Sequence, residues 1–218
     1  FDAMTKDRAA NSLLATLPRK NYQTLLPRLE RVPLKFGDVI YRPGEAIEHV
    51  YFPNDCMVSL LTFVEGRLAL EVGLVGREGM LGIPVALGVL ESPVRALVQG
   101  SGTALRMTSA TFLKEFRHNL PLQRAVYRYA HALMVQVTQT AACNRFHNVE
   151  VRLARWLLMT RDRLGSNQFR LTQEMLGRML GVLRVAVTNA AGGLQRRKLI
   201  RYSRGEISIL DSTALEST

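Results

Sequence analysis

The sequence predicts an α+β chain in three successive parts: an amino-terminal antiparallel β-barrel or sandwich of jelly-roll type, one long helix, and a terminal helical bundle closed by a pair of strands. Three observations predict it. From about Val32 to Met107 the chain runs as short apolar stretches broken by Gly and Pro. From Pro121 to Phe146 it carries no further Gly or Pro. Beyond Asn148, helical patterns alternate with caps and glycines and end in LIRYSR and EISIL, which read as strands. The expected divisions are residues 1–120, 121–147 and 148–218.

A chain of 218 residues with 47% hydrophobic content suffices for one large or two modest cores. Met80 to Leu90 is a central apolar stretch without a charge, and its Gly82, Pro84 and Gly88 and its shortness argue against a membrane span. The start, FDAMTKDRAA, mixes charges and does not read as a secretory signal. Cys56 and Cys143 stand far apart with no CxxC pair or Cys/His cluster. That argues against a disulfide framework, a structural zinc or an iron–sulfur cluster, and for two buried thiols in a reducing cytoplasm. His49, His118, His131 and His147 are scattered, and no metal or cofactor is expected.

Charge is unevenly placed. The net +11 divides into 14 basic against 12 acidic residues up to position 120, and 15 against 6 beyond it. A carboxy-terminal part this basic suits a polyanion, either nucleic acid or an anionic surface, through phosphate neutralisation and counterion release. A merely solubilising surface is the plain alternative.

Each element has its own signal. NSLLATLP and NYQTLLPRL read as short helices. Phe36-Gly37-Asp38, Arg42-Pro43-Gly44-Glu45 and Val64-Glu65-Gly66 read as turns between strands, and Met80 to Leu90 as a short helix and loop interrupting the barrel. Glu71, Glu78 and Glu91 read as rim carboxylates. Pro121 suits a first helical turn. Leu122, Val126, Tyr129, Leu133 and Val137 then form one apolar stripe. A helix roughly 35 Å long, at about 1.5 Å per residue, exceeds what a small barrel covers, so the stripe is expected to pair with its copy in a second subunit. Packing on the chain's own barrel is the alternative.

Asn148 is expected to cap a helix with apolar Val149, Leu153, Trp156, Leu157 and Leu164, ended by Gly165-Ser166. Thr172 should cap the next, with Glu174 in its first turn and Met175, Leu176, Met179 and Leu180 inward. After Gly181, a helix beginning near Leu183 gathers Leu183, Val187, Ala190, Ala191 and Leu194 on its core side. Its other side collects Arg184, Val185, Thr188, Asn189, Gly192, Gln195 and Arg196, with no acid among them. Arginine can take guanine through two bonds, asparagine can take adenine, and valine can touch a thymine methyl. Helix, tight turn, helix and strand pair describe a winged helix-turn-helix. Residues 145–204 hold 13 Lys/Arg against 3 Asp/Glu, whereas an ordinary solvated face would admit acids. The pair Gly192-Gly193 is unusual in a helix and marks either close backbone approach or fraying.

From about Leu25 to Asp211 the chain resembles the Crp/Fnr transcriptional regulators, with a cyclic-nucleotide-binding-like barrel, a long helix and a winged helix-turn-helix. The motifs that carry the likeness are LTQEMLGRMLGVLRVAVT and LIRYSRGEISILD at the carboxy end, and FGDVIYRPGE and VGREGMLG in the barrel. The resemblance implies a homodimer that binds pseudo-palindromic duplex DNA, couples the barrel to the DNA-binding helices through the long helix, and works in the cytoplasm with RNA polymerase. It implies base reading by Arg184, Val185 and Asn189, and backbone contacts by Gln173, Thr188, Arg196, Arg201 and Arg204.

The departures are equally informative. Nucleotide binders carry Gly-Glu where this chain has Gly82-Ile83, and an arginine followed by Ser or Thr where it reads Ser92-Pro93-Val94-Arg95. The corresponding long-helix position is Thr138. A ligand phosphate without its arginine loses a charge-assisted pair, so the pocket is expected to be degenerate and the effector, if any, not cyclic AMP. In the recognition helix, Val185 stands where Glu or Ser is usual and Asn189 where arginine is frequent, so the target sequence should differ. The competing reading is a ligand-binding or protein-interaction module that no longer reads DNA, motivated by Val185 and the glycine pair. An enzyme is disfavoured, because GxSxG, Walker, HExxH and paired-carboxylate motifs are missing.

Overall fold

The computed structural model describes residues 9–64 and 68–218 and has the expected α+β architecture. The amino-terminal stretch read against a signal peptide falls mostly outside these residues, as does the turn expected at Val64-Glu65-Gly66. No helix among the described residues is long and apolar enough to cross a membrane. Two compact units form, one from the chain up to Leu60 with Val75–Val135, the other from Leu61–Leu74 with Gln136–Thr218.

In the first unit, α1 (Ser12–Ala15) and α2 (Arg19–Leu25) precede the strands. Asn11 caps α1 and is fully buried. Its side-chain oxygen accepts from the Leu14 amide at 3.1 Å, and its side-chain nitrogen donates to the Pro53 and Gly79 carbonyls at 2.8 Å each. A buried amide satisfied on both ends fixes α1 against the sheet. The strands are β1 (Glu30–Leu34), β2 (Val39–Tyr41), β3 (His49–Pro53), β4 (Met57–Val64), β5 (Leu68–Val75), β6 (Arg95–Gly100) and β7 (Gly102–Thr108), of which the end of β4 and β5 up to Leu74 are counted with the second unit.

The antiparallel strands form two sheets, β1-β7-β3 and β2-β6-β4-β5, the sandwich form of the expected jelly roll. Sequence neighbours β2 and β3, β3 and β4, and β6 and β7 lie in different sheets, which gives a jelly-roll-like sandwich rather than one continuous ladder. Antiparallel registers such as Glu30↔Arg106 and His49↔Thr108 set the first sheet. Val50, Phe52, Val58, Ala96, Val98 and Met107 fill the space between the sheets. Cys56 is buried with its thiol donating to the Thr103 carbonyl, and burial pushes its pKa up to about 12.

After α3 (Ile83–Ala86) and α4 (Ser109–His118), the long helix α5 runs Leu120–Phe146. The apolar stripe expected to face a second subunit is largely used at home. Leu122, Val126 and Tyr129 are buried in the sandwich core, and Leu133 packs against it. The reason is the close approach of Gly79, where an added Cβ would fall on the Tyr129 ring. The exposed large apolar side chains of α5 are Leu120 and Phe146 at its ends and Tyr127, Met134, Val135 and, 37% exposed, Val137 between them.

The second unit holds α6 (Val149–Leu164), β8 (Gln168–Arg170), α7 (Gln173–Leu180), α8 (Arg184–Arg196), β9 (Ile200–Ser203), β10 (Glu206–Ile209) and α9 (Ser212–Glu216). Asn148 and Thr172 cap α6 and α7 by accepting from the Val151 and Met175 amides, and Gly165 and Gly181 end those helices in the left-handed conformation. Leu153, Leu157, Leu176, Val187 and Leu194 are buried, each side chain stabilising by about 1.5–3 kcal/mol through removal from water.

Two expectations change here, for Leu183 and Glu71, and the open alternative at Gly192-Gly193 resolves to close approach. Leu183 is not core but the exposed residue before α8, because the helix starts one position later. The glycine pair does not fray: α8 continues through it, and a Cβ on Gly193 would strike the Glu150 carboxylate, which pairs with Arg197 at 3.1 Å. Glu71 is not a rim carboxylate. It is buried and accepts the Trp156 indole N–H at 2.8 Å, while Gln136 bonds both the amide and the carbonyl of Leu74.

Candidate nucleic-acid interface

The turn between α7 and α8 is built on Gly177, where a Cβ would meet the Val182 carbonyl at 2.9 Å, and on Gly181, with φ of +62°. Only residues without a side chain permit so tight a reversal there. It leaves α8 with Val187, Ala190, Ala191 and Leu194 against α6 and α7, and turns its opposite side outward. Arg184, Val185, Thr188, Asn189, Gln195 and Arg196 are all exposed, and Val185 is 69% so.

Three strands, β8-β10-β9, form the wing. The sequence missed β8, although Phe169 buried between exposed Gln168 and Arg170 is a short period-two pattern. Ser203 pairs with Glu206 across a two-residue loop whose residues, Arg204 and Gly205, have φ of 51° and 79°. Two positive φ values make the tight hairpin turn that matches strand twist. An arginine at such a position costs roughly 1–2 kcal/mol relative to glycine, and it sets an exposed guanidinium at the wing's tip.

Between α8, the start of α7 and the wing lies an open groove of about 580 Å³. Its walls are tied by polar bonds. Tyr202 donates its hydroxyl to the Leu171 carbonyl at 2.8 Å, and its amide donates to Gln195 Oε1 at 2.6 Å. Burial pushes the Tyr202 phenol pKa up, with the Arg184 charge pulling it the other way. Gln173 Oε1 accepts from Thr188 Oγ1 at 2.9 Å and from Arg184 Nε at 3.5 Å. The groove's acid, Glu174, is drawn onto Arg178 at 2.6 Å. Tyr202 and Gln195 as wall-building residues were not singled out by their pattern; a tyrosine alternating within a basic strand was the available signal.

Of the expected site residues, Gln173, Arg184, Thr188 and Arg204 line this groove together. Val185, Asn189 and Arg196 stand on the same exposed side of α8, and Arg201 is exposed on β9. The expected effector residues fare differently. Gly82 has φ of +93° and a Cβ there would meet Val50, Ile83 is buried, and the Ser92 hydroxyl is turned onto the Val94 carbonyl at 2.8 Å. Arg95 is half-buried at the start of β6. An open cavity of about 440 Å³ in this unit is lined by Tyr41, His49 and Tyr51 with Glu45 and Glu48, and by none of those four. Thr138 belongs to the second unit and is exposed. No group of His, Cys, Asp and Glu among the described residues is arranged to hold a metal.

Residues 151–218 match the Crp-like helix-turn-helix domain. No curated protein sequence matches the chain. Among solved structures, a transcriptional regulator of the Crp/Fnr family from Eubacterium rectale is similar, with 16% identity over 95% of this chain and 97% of that one and a TM-score of 0.72. FixK2 from Bradyrhizobium japonicum shares 13% identity over 87% and 96%, with a TM-score of 0.74. CLP from Xanthomonas campestris, a c-di-GMP-responsive global regulator, shares 16% over 89% and 100%, with a TM-score of 0.72. The chain thus carries a Crp-like helix-turn-helix domain over residues 151–218 and has, along its length, the fold of the Crp/Fnr transcriptional regulators.

Proposed function

We propose that this chain is a homodimeric, sequence-specific DNA-binding regulator of the cytoplasm, acting on RNA polymerase and not controlled by cyclic AMP. One observation carries the DNA reading: the outward side of α8 is free of acids and exposed beside an open groove, while its other side is buried. Arg184, Val185 and Asn189 read base edges, and Arg196, Arg201 and Arg204 meet phosphates. The division into a sensor (1–120), a long dimer helix (121–147) and a DNA-binding domain (148–218) follows the same reading.

Because Leu122, Val126 and Tyr129 are occupied in the sandwich, the dimer seam falls to the exposed apolar residues Tyr127, Met134 and Val135 of α5, with Val137 at the exposed end of the stripe. Two such helices bring two α8 faces to one duplex, which matches a pseudo-palindromic site. Against cyclic AMP stand buried Ile83, where an acid would hold the ribose, and the Ser92 hydroxyl closed on its own loop.

Selection from a random duplex pool with the full chain tests the function, and enrichment of one pseudo-palindrome is the expected result. Recovery of no common sequence favours the interaction-module reading. Cyclic AMP should leave the thermal unfolding midpoint unmoved, whereas a ligand at 100 times its Kd would add about 2.7 kcal/mol of stability.

A further inference from the structure

Resting on the DNA-reading proposal, we infer that Gln173 and Thr188 are not phosphate contacts but positioning residues that aim the base-reading fork of Arg184. Three features carry it. Gln173, the first residue of α7, presents Oε1 to α8, where Thr188 Oγ1 donates to it at 2.9 Å and Arg184 Nε at 3.5 Å. The single Thr188 hydroxyl proton also has the Arg184 carbonyl within reach at 3.1 Å, and Gln173 Oε1 is the nearer of its two acceptors. Together with Arg184 Nε this turns the oxygen of the Gln173 amide towards α8. The atom engaged on Arg184 is Nε, not the terminal nitrogens, so the two groups that take O6 and N7 of a guanine stay available. The nearby carboxylate of Glu174, which would otherwise pull the guanidinium down into the groove, is held one turn away by Arg178 at 2.6 Å.

The physical effect is preorganisation. A free arginine loses much rotamer freedom on being fixed in a bidentate contact. An acceptor on the neighbouring helix that already holds Nε removes part of that loss before DNA arrives. Such an effect acts only through Arg184, so it alters discrimination at the base pair Arg184 reads and leaves contact with the rest of the duplex alone.

A double-mutant cycle on the full chain tests this, using the selected duplex, the same duplex with one base pair changed at the position where Arg184→Ala loses discrimination, and a random duplex. Thr188→Val, which keeps shape and removes the hydroxyl, and Gln173→Leu should each lower discrimination at that base pair about two- to tenfold. Affinity for the random duplex and the salt slope should stay unchanged. Thr188→Ser should restore discrimination, and neither change should matter once Arg184 is alanine. Equal loss on all three duplexes with a shallower salt slope, or losses that add to that of Arg184→Ala, overturn the inference in favour of phosphate contact. A wild-type chain with no preferred duplex overturns the DNA reading beneath it, and this inference with it.

Discussion

Residues 184–196 and residues 82–95 both drew attention through polar or missing polar groups at family positions, yet they end in opposite physical states. On α8 the singled-out side chains are exposed and flank an open groove. Between Gly82 and Arg95, Ile83 is buried, Gly82 is pressed against Val50, and Ser92 bonds within its own loop. The difference teaches that one fold can expose one set of singular side chains and bury or tie down another, and under the proposed function the exposed set is the one that meets DNA.

The contrast can be broken most severely at Ile83. Ile83→Ala should cost about 2–5 kcal/mol of stability, because it removes buried methyl groups and leaves a void. Chemical denaturation measures it, and DNA affinity of the folded fraction should not change. Next comes Arg184→Ala, expected to cost about 1–3 kcal/mol on the selected duplex and little on random DNA. Competition binding separates the two, and equal losses would reassign Arg184 to the backbone. Arg204→Ala at the wing tip should weaken binding evenly across sequences and reduce the salt slope by about one unit, read from titrations at several salt concentrations. The smallest effect lies in the sandwich. Since burial raises the Cys56 pKa from 9.0 to about 12, the folded state keeps a proton that the unfolded chain releases. Stability from this group is therefore lost progressively as pH rises from 9 towards 12, and Cys56→Ala should flatten that part of the pH–stability curve.

Helical periodicity made α8 legible, because a helix packed on one side must sort its residues by face, and its caps and glycines sit within a few positions of its ends. Periodicity could not say which of two partners a stripe meets. The stripe of Leu122, Val126 and Tyr129 was real, but only the space opened by Gly79 made the chain's own sandwich its partner. Leu183 was misplaced because helix starts shift by a residue or two without changing the pattern inside. The choice between barrel and sandwich stayed open because it depends on which strands pair across long separations, which local alternation does not encode. Glu71 was illegible for a similar reason: its partner, Trp156, lies 85 positions away. Residues joined by such long-range bonds carry no local mark, and the groove wall formed by Tyr202 with Leu171, 31 positions away, belongs to the same class.

The most direct test of the central claim is the affinity of the full chain for its selected duplex and for a shuffled duplex of equal length, measured from low to physiological salt. The account predicts that both affinities fall steeply and linearly on logarithmic axes, with the selected duplex held about 10³-fold or more tighter throughout. Equal affinity for the two duplexes, or binding indifferent to salt, would contradict it.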